Sequence, residues 1–190
     1  MFRVALSDNR WLRPLQESDA RELHAAIAAN RQHLARWMPW AADQTLAGTT
    51  AFIANTRRQL ANNDGFQTVV VEHGAIVGVI GYHGISWRDR STSLGYWLTE
   101  PAQGCGTMTL AVCALVDHAF ETWRLNRVEI RAGIENARSR AIPERLGFAP
   151  EGVLRAAELV GDRYIDLAVY ALLAHDWAAR RAAPDGFAPG

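Results

Sequence analysis

Hydrophobic and polar positions follow two periods along the chain, and stretches of period two alternate with stretches of helical period. This pattern predicts a strand, two helices, three strands, a helix, a strand, a helix and two strands. The strands are expected at residues 11–15, 66–71, 76–82, 92–98, 127–132, 153–159 and 164–172. The helices are expected at about 18–30, from 45 to the turn at 62–65, at 107–123 and at 136–146. Pro14 cannot donate to a ladder, so the first strand is expected at a sheet edge.

Hairpins are mixed with strand–helix–strand crossovers in this order of elements. Such a mixture favours a mixed α/β sheet over a purely parallel, doubly wound one. The chain of 190 residues is long enough to bury a sizeable core. We expect one domain over residues 1–190. Residues 178–190 are expected to form a flexible tail, because they are rich in Ala, Pro and Gly.

Composition and charge narrow the expected partners. The formal net charge is zero, so no global field attracts nucleic acid or an anionic membrane. No apolar run approaches a membrane span, and the first residues lack the apolar segment of a signal peptide. Cys105 and Cys113 do not form a CxxC pair, and no His/Cys/Asp cluster has metal-ligand spacing. We therefore expect a cytoplasmic protein without a metal site, nucleic-acid partner or membrane partner.

A glycine loop stands between the strand at 92–98 and the helix from 107. It consists of Gln103, Gly104, Cys105 and Gly106. A helix start adds unpaired N–H groups and the positive end of the helix dipole, so such a loop suits an anion, usually a phosphate. The loop lacks the Gly-Lys-Ser/Thr of a Walker A motif and the third Gly of a dinucleotide fingerprint. A tight turn without a ligand remains the alternative.

The order of the surrounding motifs carries a family resemblance. YWL…QGCGTMT, VEIRAGIENARS, ERLGF and ELVGDRYIDLAVYALL follow one another in the chain. Together they resemble the GNAT N-acetyltransferase superfamily, and within it the RimJ/RimL branch of ribosomal-protein N-terminal acetyltransferases. The resemblance runs from Trp11 to about Trp177 and is most specific from Gln103 to Phe148. It implies the GNAT fold, a mostly antiparallel twisted sheet with splayed parallel strands at its centre, flanked by helices.

The resemblance also implies acetyl-CoA as the acyl donor. Backbone N–H groups from Gly104 to Thr109 would hold its pyrophosphate. The pantetheine arm would lie between the strands at 93–98 and 127–132 and pair with free main-chain groups at Trp97 and Leu98. Asn136 would contact the arm, although Asn also favours a helix N-cap. The expected cofactor-binding residues are Trp97, Leu98, Gln103, Gly104, Cys105, Gly106, Thr107, Met108, Thr109, Asn136 and Ser139.

Two loop positions depart from the family pattern. Met108 stands where the strict motif has Gly or Ala. Cys105 stands where many relatives carry a basic residue, and the loss of that charge is expected to weaken the affinity for CoA. Cys105 also leaves a redox or metal role open as an alternative.

Acetyl transfer to an amine needs a neutral amine, a donor for the oxyanion and a proton for the departing thiolate. The N–H near Leu98 is the expected oxyanion donor. The tyrosine that many relatives place in Y-x-x-L-G-F is Pro143 here. The resemblance instead implies that Ser139 of the N-x-x-S motif donates a hydrogen bond or a proton to the thioester sulfur. It implies that Glu158 acts as the general base. The alternatives are local hydroxyl–backbone bonding at a helix start for Ser139 and a solvated surface position for Glu158.

The acceptor is expected beside three aromatic residues, Trp37, Trp40 and Tyr82, for which core packing or a dimer contact is the alternative. It is a primary amine, either a protein N-terminus, ribosomal ones included, or a small molecule. A non-catalytic CoA-binding or protein-interaction module on the same fold is the alternative function. Homodimers are common in this branch, so a homodimer is a further expectation.

Overall fold

Eight strands and six α-helices build the part of the chain that the computed structural model describes, residues 2–183. The strands are β1 Val4–Ser7, β2 Arg10–Pro14, β3 Gln67–Glu72, β4 Ala75–Ser86, β5 Ser91–Leu98, β6 Arg127–Gly133, β7 Ala149–Val160 and β8 Arg163–Leu173. The helices are α1 Ala20–Ala29, α2 Arg31–Leu34, α3 Leu46–Ala61, α4 Thr107–Asp117, α5 Ala137–Leu146 and α6 Ala174–Ala182. A π-helical turn, His118–Thr122, continues α4.

All the strands lie in one sheet, in the order β1-β2-β3-β4-β5-β6-β8-β7. Within residues 2–183 every neighbouring pair is antiparallel except β5 and β6, which run parallel. The predicted mixed, mostly antiparallel sheet is therefore confirmed.

Helices pack on both faces of this sheet. On one face, Leu23 of α1 and Ile53 of α3 pack with Val79 of β4. On the other face, Leu115 of α4 packs with Ile130 of β6. Side chains alternate across a strand, so the even-numbered positions of β5 and β6 face α4 and the odd-numbered ones face the α1 side.

The parallel strands separate in the middle of the sheet. β5 pairs with β6 from Ser91 only as far as Leu94, which lies opposite Ile130. Beyond that point β5 follows β4 to Leu98, whereas β6 follows β8 to Gly133. The predicted splay is confirmed, and it opens a gap at the centre of the sheet.

The edge strand differs from our expectation. β1 pairs outside β2, so the strand that ends at Pro14 is not at the edge. Leu12 is the last residue of β2 that pairs with β1, so Pro14 lies beyond that ladder and its missing N–H removes no bond to β1.

The C-terminal segment also differs, because residues expected in a flexible tail from Ala178 belong to α6. Trp177 anchors this helix, with its side chain buried and its Nε1 donating to Asp117 Oδ1 at 2.7 Å. The Ala-rich composition misled the prediction, because one buried Trp outweighs the low hydrophobicity of its neighbours. Residues 184–190 of the predicted tail lie outside the described residues. No helix within residues 2–183 is long and apolar enough to cross a membrane.

Candidate functional site

A cleft of about 1090 Å³ opens at the gap between β5 and β6. Its walls come from α2 and the turn after it, the end of β5, the loop before α4 and the start of α5. All the residues expected to bind the cofactor line it, namely Trp97, Leu98, Gln103, Gly104, Cys105, Gly106, Thr107, Met108, Thr109, Asn136 and Ser139. Residues far apart in the sequence thus meet in one cavity.

The loop before α4 has the geometry of an anion site. Gly104 and Gly106 have φ of 81° and 75°, a left-handed conformation that favours glycine. Gly106 is the N-cap of α4 and supplies no side-chain cap, so the first N–H groups of the helix lack intrahelical partners. Thr107 Oγ1 is buried there without a hydrogen-bond partner. A Cβ on Gly104 would have nothing within 4 Å, so this side of the loop is open.

Positive charge reaches the loop from elsewhere in the fold. Arg10 of β2 donates from Nη1 to the Cys105 carbonyl at 3.3 Å. Arg138 and Arg145 of α5 line the cleft, and Arg145 donates to Thr109 Oγ1 at 3.0 Å. Arg138 and Arg145 supply cations near the loop where Cys105 supplies none, whereas the charge of Arg10 is paired with Glu72 at 2.7 Å. Sequence analysis missed them because all three are distant from the loop along the chain.

Cys105 itself is an exposed free thiol. Across residues 2–183 no group of three or more His, Cys, Asp or Glu side chains is placed to hold a metal ion.

The backbone of β5 presents alternate peptide groups to the cleft. Thr99 donates its N–H to the Val77 carbonyl at 2.8 Å, across the β4 side. Because backbone groups alternate along an antiparallel strand, the peptide groups of Trp97 also face β4. Those of Tyr96 and Leu98 face the gap. The expectation for Trp97 is corrected accordingly: it lines the cleft, but its main chain is committed to the sheet.

Gln103 ties three elements together across the cleft. Its Nε2 lies 2.7 Å from His33 Nε2 of α2, and its Oε1 accepts from Arg138 Nη1 of α5 at 2.9 Å. His33 and Arg138 line the cleft as well, and sequence analysis named neither.

Ser139 lies at the start of α5. Asn136 caps this helix, with its Oδ1 accepting from the Ser139 N–H at 3.2 Å, so the N-cap role weighed for Asn136 is present. The Ser139 hydroxyl donates to Tyr96 Oη at 3.4 Å, and Tyr96 Oη donates to the Ser139 carbonyl at 3.1 Å. Burial raises the pKa of Tyr96 above its ordinary value. Tyr96 was missed, although strand alternation places it on the opposite face from Trp97.

Glu158 lies on β7, outside the set of residues that line the cleft. It is opposite Ile165 of β8, so both side chains lie on one face. A Cβ on Gly133 would lie 3.3 Å from the Trp37 ring and 3.4 Å from Ile165 Cδ1, which places Trp37 on the same face. Glu158 is therefore on the Trp37 face of the sheet, whereas Ser139 is on the α4 face. Burial raises the pKa of Glu158.

The three expected acceptor residues have different positions. Trp37 lines the cleft, and Trp40, 39% exposed, packs against Trp97 with ring centroids 6.1 Å apart. The expectation for Tyr82 is wrong. Tyr82 is fully buried, and its hydroxyl donates to the Leu115 carbonyl of α4 at 2.7 Å. Its position in β4 turns the side chain into the core under α4, away from Trp37.

Comparison with known proteins identifies a family, relatives and a solved structure that are similar to this chain. A family model described as an acetyltransferase (GNAT) domain matches residues 9–149. A putative ribosomal N-acetyltransferase, YdaF of Bacillus subtilis (strain 168), is 34% identical over 183 residues, covering 95% of this chain and 100% of the relative. A ribosomal-protein-serine acetyltransferase of Escherichia coli (strain K12) is 26% identical over 173 residues, covering 88% and 94%. The solved structure of the microcin C7 self-immunity acetyltransferase MccE, in complex with acetyl-CoA and AMP, superposes with a TM-score of 0.84 at 25% identity, covering 88% and 94%.

Proposed function

We infer that this chain, which belongs to the GNAT acetyltransferase family, transfers an acetyl group from acetyl-CoA to a primary amine. The observation that carries this inference is the gap between β5 and β6. It begins where Leu94 ends the parallel ladder, it receives the peptide groups of Tyr96 and Leu98, and the open glycine loop lines the same cleft.

The lining residues fit acetyl-CoA. The N–H groups at the start of α4 hold the pyrophosphate, and Gly104 leaves it room. Arg138 and Arg145 supply the positive charge that the loop itself lacks. The amides of the pantetheine arm pair with the peptide groups of Tyr96 and Leu98, as an added strand would. MccE, of similar fold, has been solved with acetyl-CoA, which supports this assignment.

The general base and the donor to the sulfur lie on opposite faces of the sheet in the reaction that we propose. The acceptor amine approaches from the Trp37 face, where Glu158 accepts its proton. The raised pKa of Glu158 is nearer to neutrality than that of an exposed carboxylate, which suits a general base. The Leu98 N–H donates to the oxygen of the thioester carbonyl as negative charge develops on it. Ser139, on the α4 face, donates to the departing sulfur.

The acceptor we propose is the N-terminal amine of a protein, ribosomal proteins included. The names of the two relatives support this choice, and Trp40, which packs against Trp97 beside the cleft, is 39% exposed and accessible to a large acceptor. A small-molecule amine is the second candidate. A non-catalytic CoA-binding module is the rival function, and Pro143 in place of the expected tyrosine favours it.

The test has two steps, of which the first is isothermal titration of acetyl-CoA and CoA into the wild type and Gly106→Trp. We expect binding to the wild type and none to the variant, because the bulky side chain occupies the loop. No binding to the wild type contradicts the proposed function.

The second step measures thiol release from acetyl-CoA with ribosomal N-terminal peptides and with small amines, using Ser139→Ala as the comparison. CoA binding without thiol release for any amine favours the non-catalytic module. Release with small amines but with no peptide selects the second candidate.

We also propose that the enzyme is a cytoplasmic homodimer. The apolar side chains of Val153, Leu159 and Tyr164 on the β7–β8 hairpin are 52%, 48% and 68% exposed, and exposed apolar area on one hairpin suits a contact with a second copy of the chain. Light scattering is expected to give twice the chain mass for the wild type and the chain mass for Tyr164→Glu. A monomeric wild type contradicts the dimer.

A further inference from the structure

Pro143 removes a hydrogen bond from α5. It is the seventh residue of this helix, and in an α-helix its N–H would bond to the carbonyl four residues earlier, that of Ser139. Proline has no N–H, and its ring crowds that same carbonyl. The Ser139 carbonyl therefore has no helical partner.

Tyr96 takes the place of that partner. Its hydroxyl donates to the Ser139 carbonyl at 3.1 Å from a strand 43 residues away in sequence. The same hydroxyl lies 3.4 Å from Ser139 Oγ and accepts its hydrogen. Tyr96 is two residues beyond Leu94, where the parallel ladder ends, so this contact connects α5 to β5 across the opening of the cleft.

We propose that Tyr96 is a positioning residue for Ser139: its bond to the Ser139 carbonyl holds the start of α5 at the gap, where the Ser139 hydroxyl turns from Tyr96 Oη to donate to the sulfur of the acyl donor when acetyl-CoA binds. The proposal rests on the proposed function. It connects Pro143 with Tyr96. Pro143 stands where many relatives carry a tyrosine that acts as the general acid, and it also leaves the Ser139 carbonyl free to accept the hydrogen bond from Tyr96.

The proton balance assigns each hydroxyl its part. The amine lone pair forms the C–N bond, the C–S bond breaks, and its electron pair goes to sulfur. The acceptor nitrogen loses one proton to Glu158 or water, and the sulfur leaves as a thiolate that accepts a hydrogen bond from the Ser139 hydroxyl and then takes one proton from solvent. Burial keeps Tyr96 protonated through the neutral range, because its pKa is raised. Tyr96 therefore acts as a hydrogen-bond donor throughout and gives up no proton.

The test measures the thiol pKa of CoA bound to the protein, from the ultraviolet absorbance of the thiolate. A hydroxyl that donates to sulfur favours the thiolate, so the wild type is expected to lower this pKa relative to free CoA. Tyr96→Phe is expected to raise it by about one unit toward the value for Ser139→Ala, the size of one lost charge-assisted hydrogen bond. The other titratable or charged groups that line the cleft (His33, Arg36, Glu100, Cys105, Glu135, Arg138 and Arg145) are unchanged in these variants, and the protein without CoA serves as the absorbance blank for Cys105.

Tyr170→Phe is the matched control. Tyr170 also holds α5, because its hydroxyl donates to Glu144 at 2.6 Å and accepts from Arg140 Nε at 2.8 Å. It does not line the cleft. Its loss is expected to leave the thiol pKa unchanged and kcat near the wild-type value. Tyr96→Phe is expected to lower kcat about tenfold, with the KM for acetyl-CoA within about twofold of the wild type.

Pro143→Ala tests the backbone link. Alanine restores an N–H to the Ser139 carbonyl, so in this background Tyr96→Phe is expected to shift the thiol pKa by a few tenths of a unit at most. This double variant folds with that carbonyl satisfied, so it provides a test even if Tyr96→Phe alone is poorly folded. A full-unit shift in the Pro143→Ala background overturns the backbone link.

Two other results overturn the proposal. One is CoA bound to Tyr96→Phe with a thiol that titrates as in the wild type. The other is an equal shift in Tyr170→Phe. In both results CoA still binds, whereas failure of the proposed function is seen as a wild type that binds no CoA.

Discussion

The Gly104→Ala substitution tests two properties of the glycine loop separately: its backbone conformation and its affinity for CoA. Gly104 has φ of 81°, and an added Cβ meets nothing within 4 Å. The folding cost is therefore conformational alone, about 1–2 kcal/mol for an L-residue in the left-handed region. For a chain of 190 residues this lowers Tm by about 2–8 °C, which differential scanning fluorimetry without ligand measures.

The same methyl group occupies the open side of the loop, where the proposed function places the pyrophosphate. We expect the affinity for CoA to fall at least tenfold, or about 1.4 kcal/mol, in isothermal titration. Gly74→Ala is the matched control, because Gly74 has φ of 85°, also meets nothing within 4 Å, and lies in the turn between β3 and β4. It is expected to lower Tm equally and to leave CoA binding unchanged.

Wild-type affinity in Gly104→Ala would refute the assignment of the phosphate to this loop. A much larger loss of stability in Gly104→Ala than in Gly74→Ala would refute the conformational argument, because the added methyl would then meet atoms that the structure places elsewhere.

Three further substitutions test other parts of the structure. Tyr82→Phe is expected to lower the free energy of unfolding by about 1 kcal/mol through the lost bond to the Leu115 carbonyl; an altered acceptor KM in kinetic assays would return Tyr82 to the acceptor site. Folding raises the pKa of Glu158, so its contribution to stability is present at low pH and lost as pH rises through the folded-state pKa. Glu158→Gln is therefore expected to raise Tm near neutrality and not in acid, and to reduce turnover most above the folded-state pKa of Glu158, where the wild-type carboxylate is ionised and can accept a proton; unchanged turnover at every pH removes Glu158 from the mechanism. Trp177→Ala is expected to cost about 3–5 kcal/mol in denaturant unfolding, because it empties a buried site and leaves Asp117 Oδ1 without its donor; a loss below 1 kcal/mol would mean that α6 is not anchored there.

Local chemistry was visible in the sequence. Gly104 and Gly106 indicate the positive φ that a tight anion-binding loop needs. The order of strand and helix along the chain indicates that this loop lies at a helix start. The N-cap of α5 and its glycine end, Asn136 and Gly147, follow the same local rules. These features depend on neighbours along the chain, so a single sequence contains them.

The face of a strand was not visible where the strand shows no alternation of apolar and polar residues. β4 runs as AIVGVIGYHGIS, which contains no alternation to show where Tyr82 points. Tyr96 and Trp97 stand side by side, and only the position of the gap tells which one meets Ser139. The cations of the cleft and the pairing of β1 outside β2 depend on contacts between segments far apart, which spacing does not encode.

The four-residue ladder between β5 and β6 has a consequence for the lifetime of the protein. Beyond this ladder β5 pairs with β4 and β6 pairs with β8, so the sheet divides into two halves. On the proposed function the pantetheine arm of the coenzyme fills the gap between the two halves. At free coenzyme one hundred times its Kd, the folded state gains about 2.7 kcal/mol. Proteases that act on opened chains then degrade the loaded protein more slowly than the empty one. A cell short of acetyl-CoA would lose part of this enzyme together with its substrate.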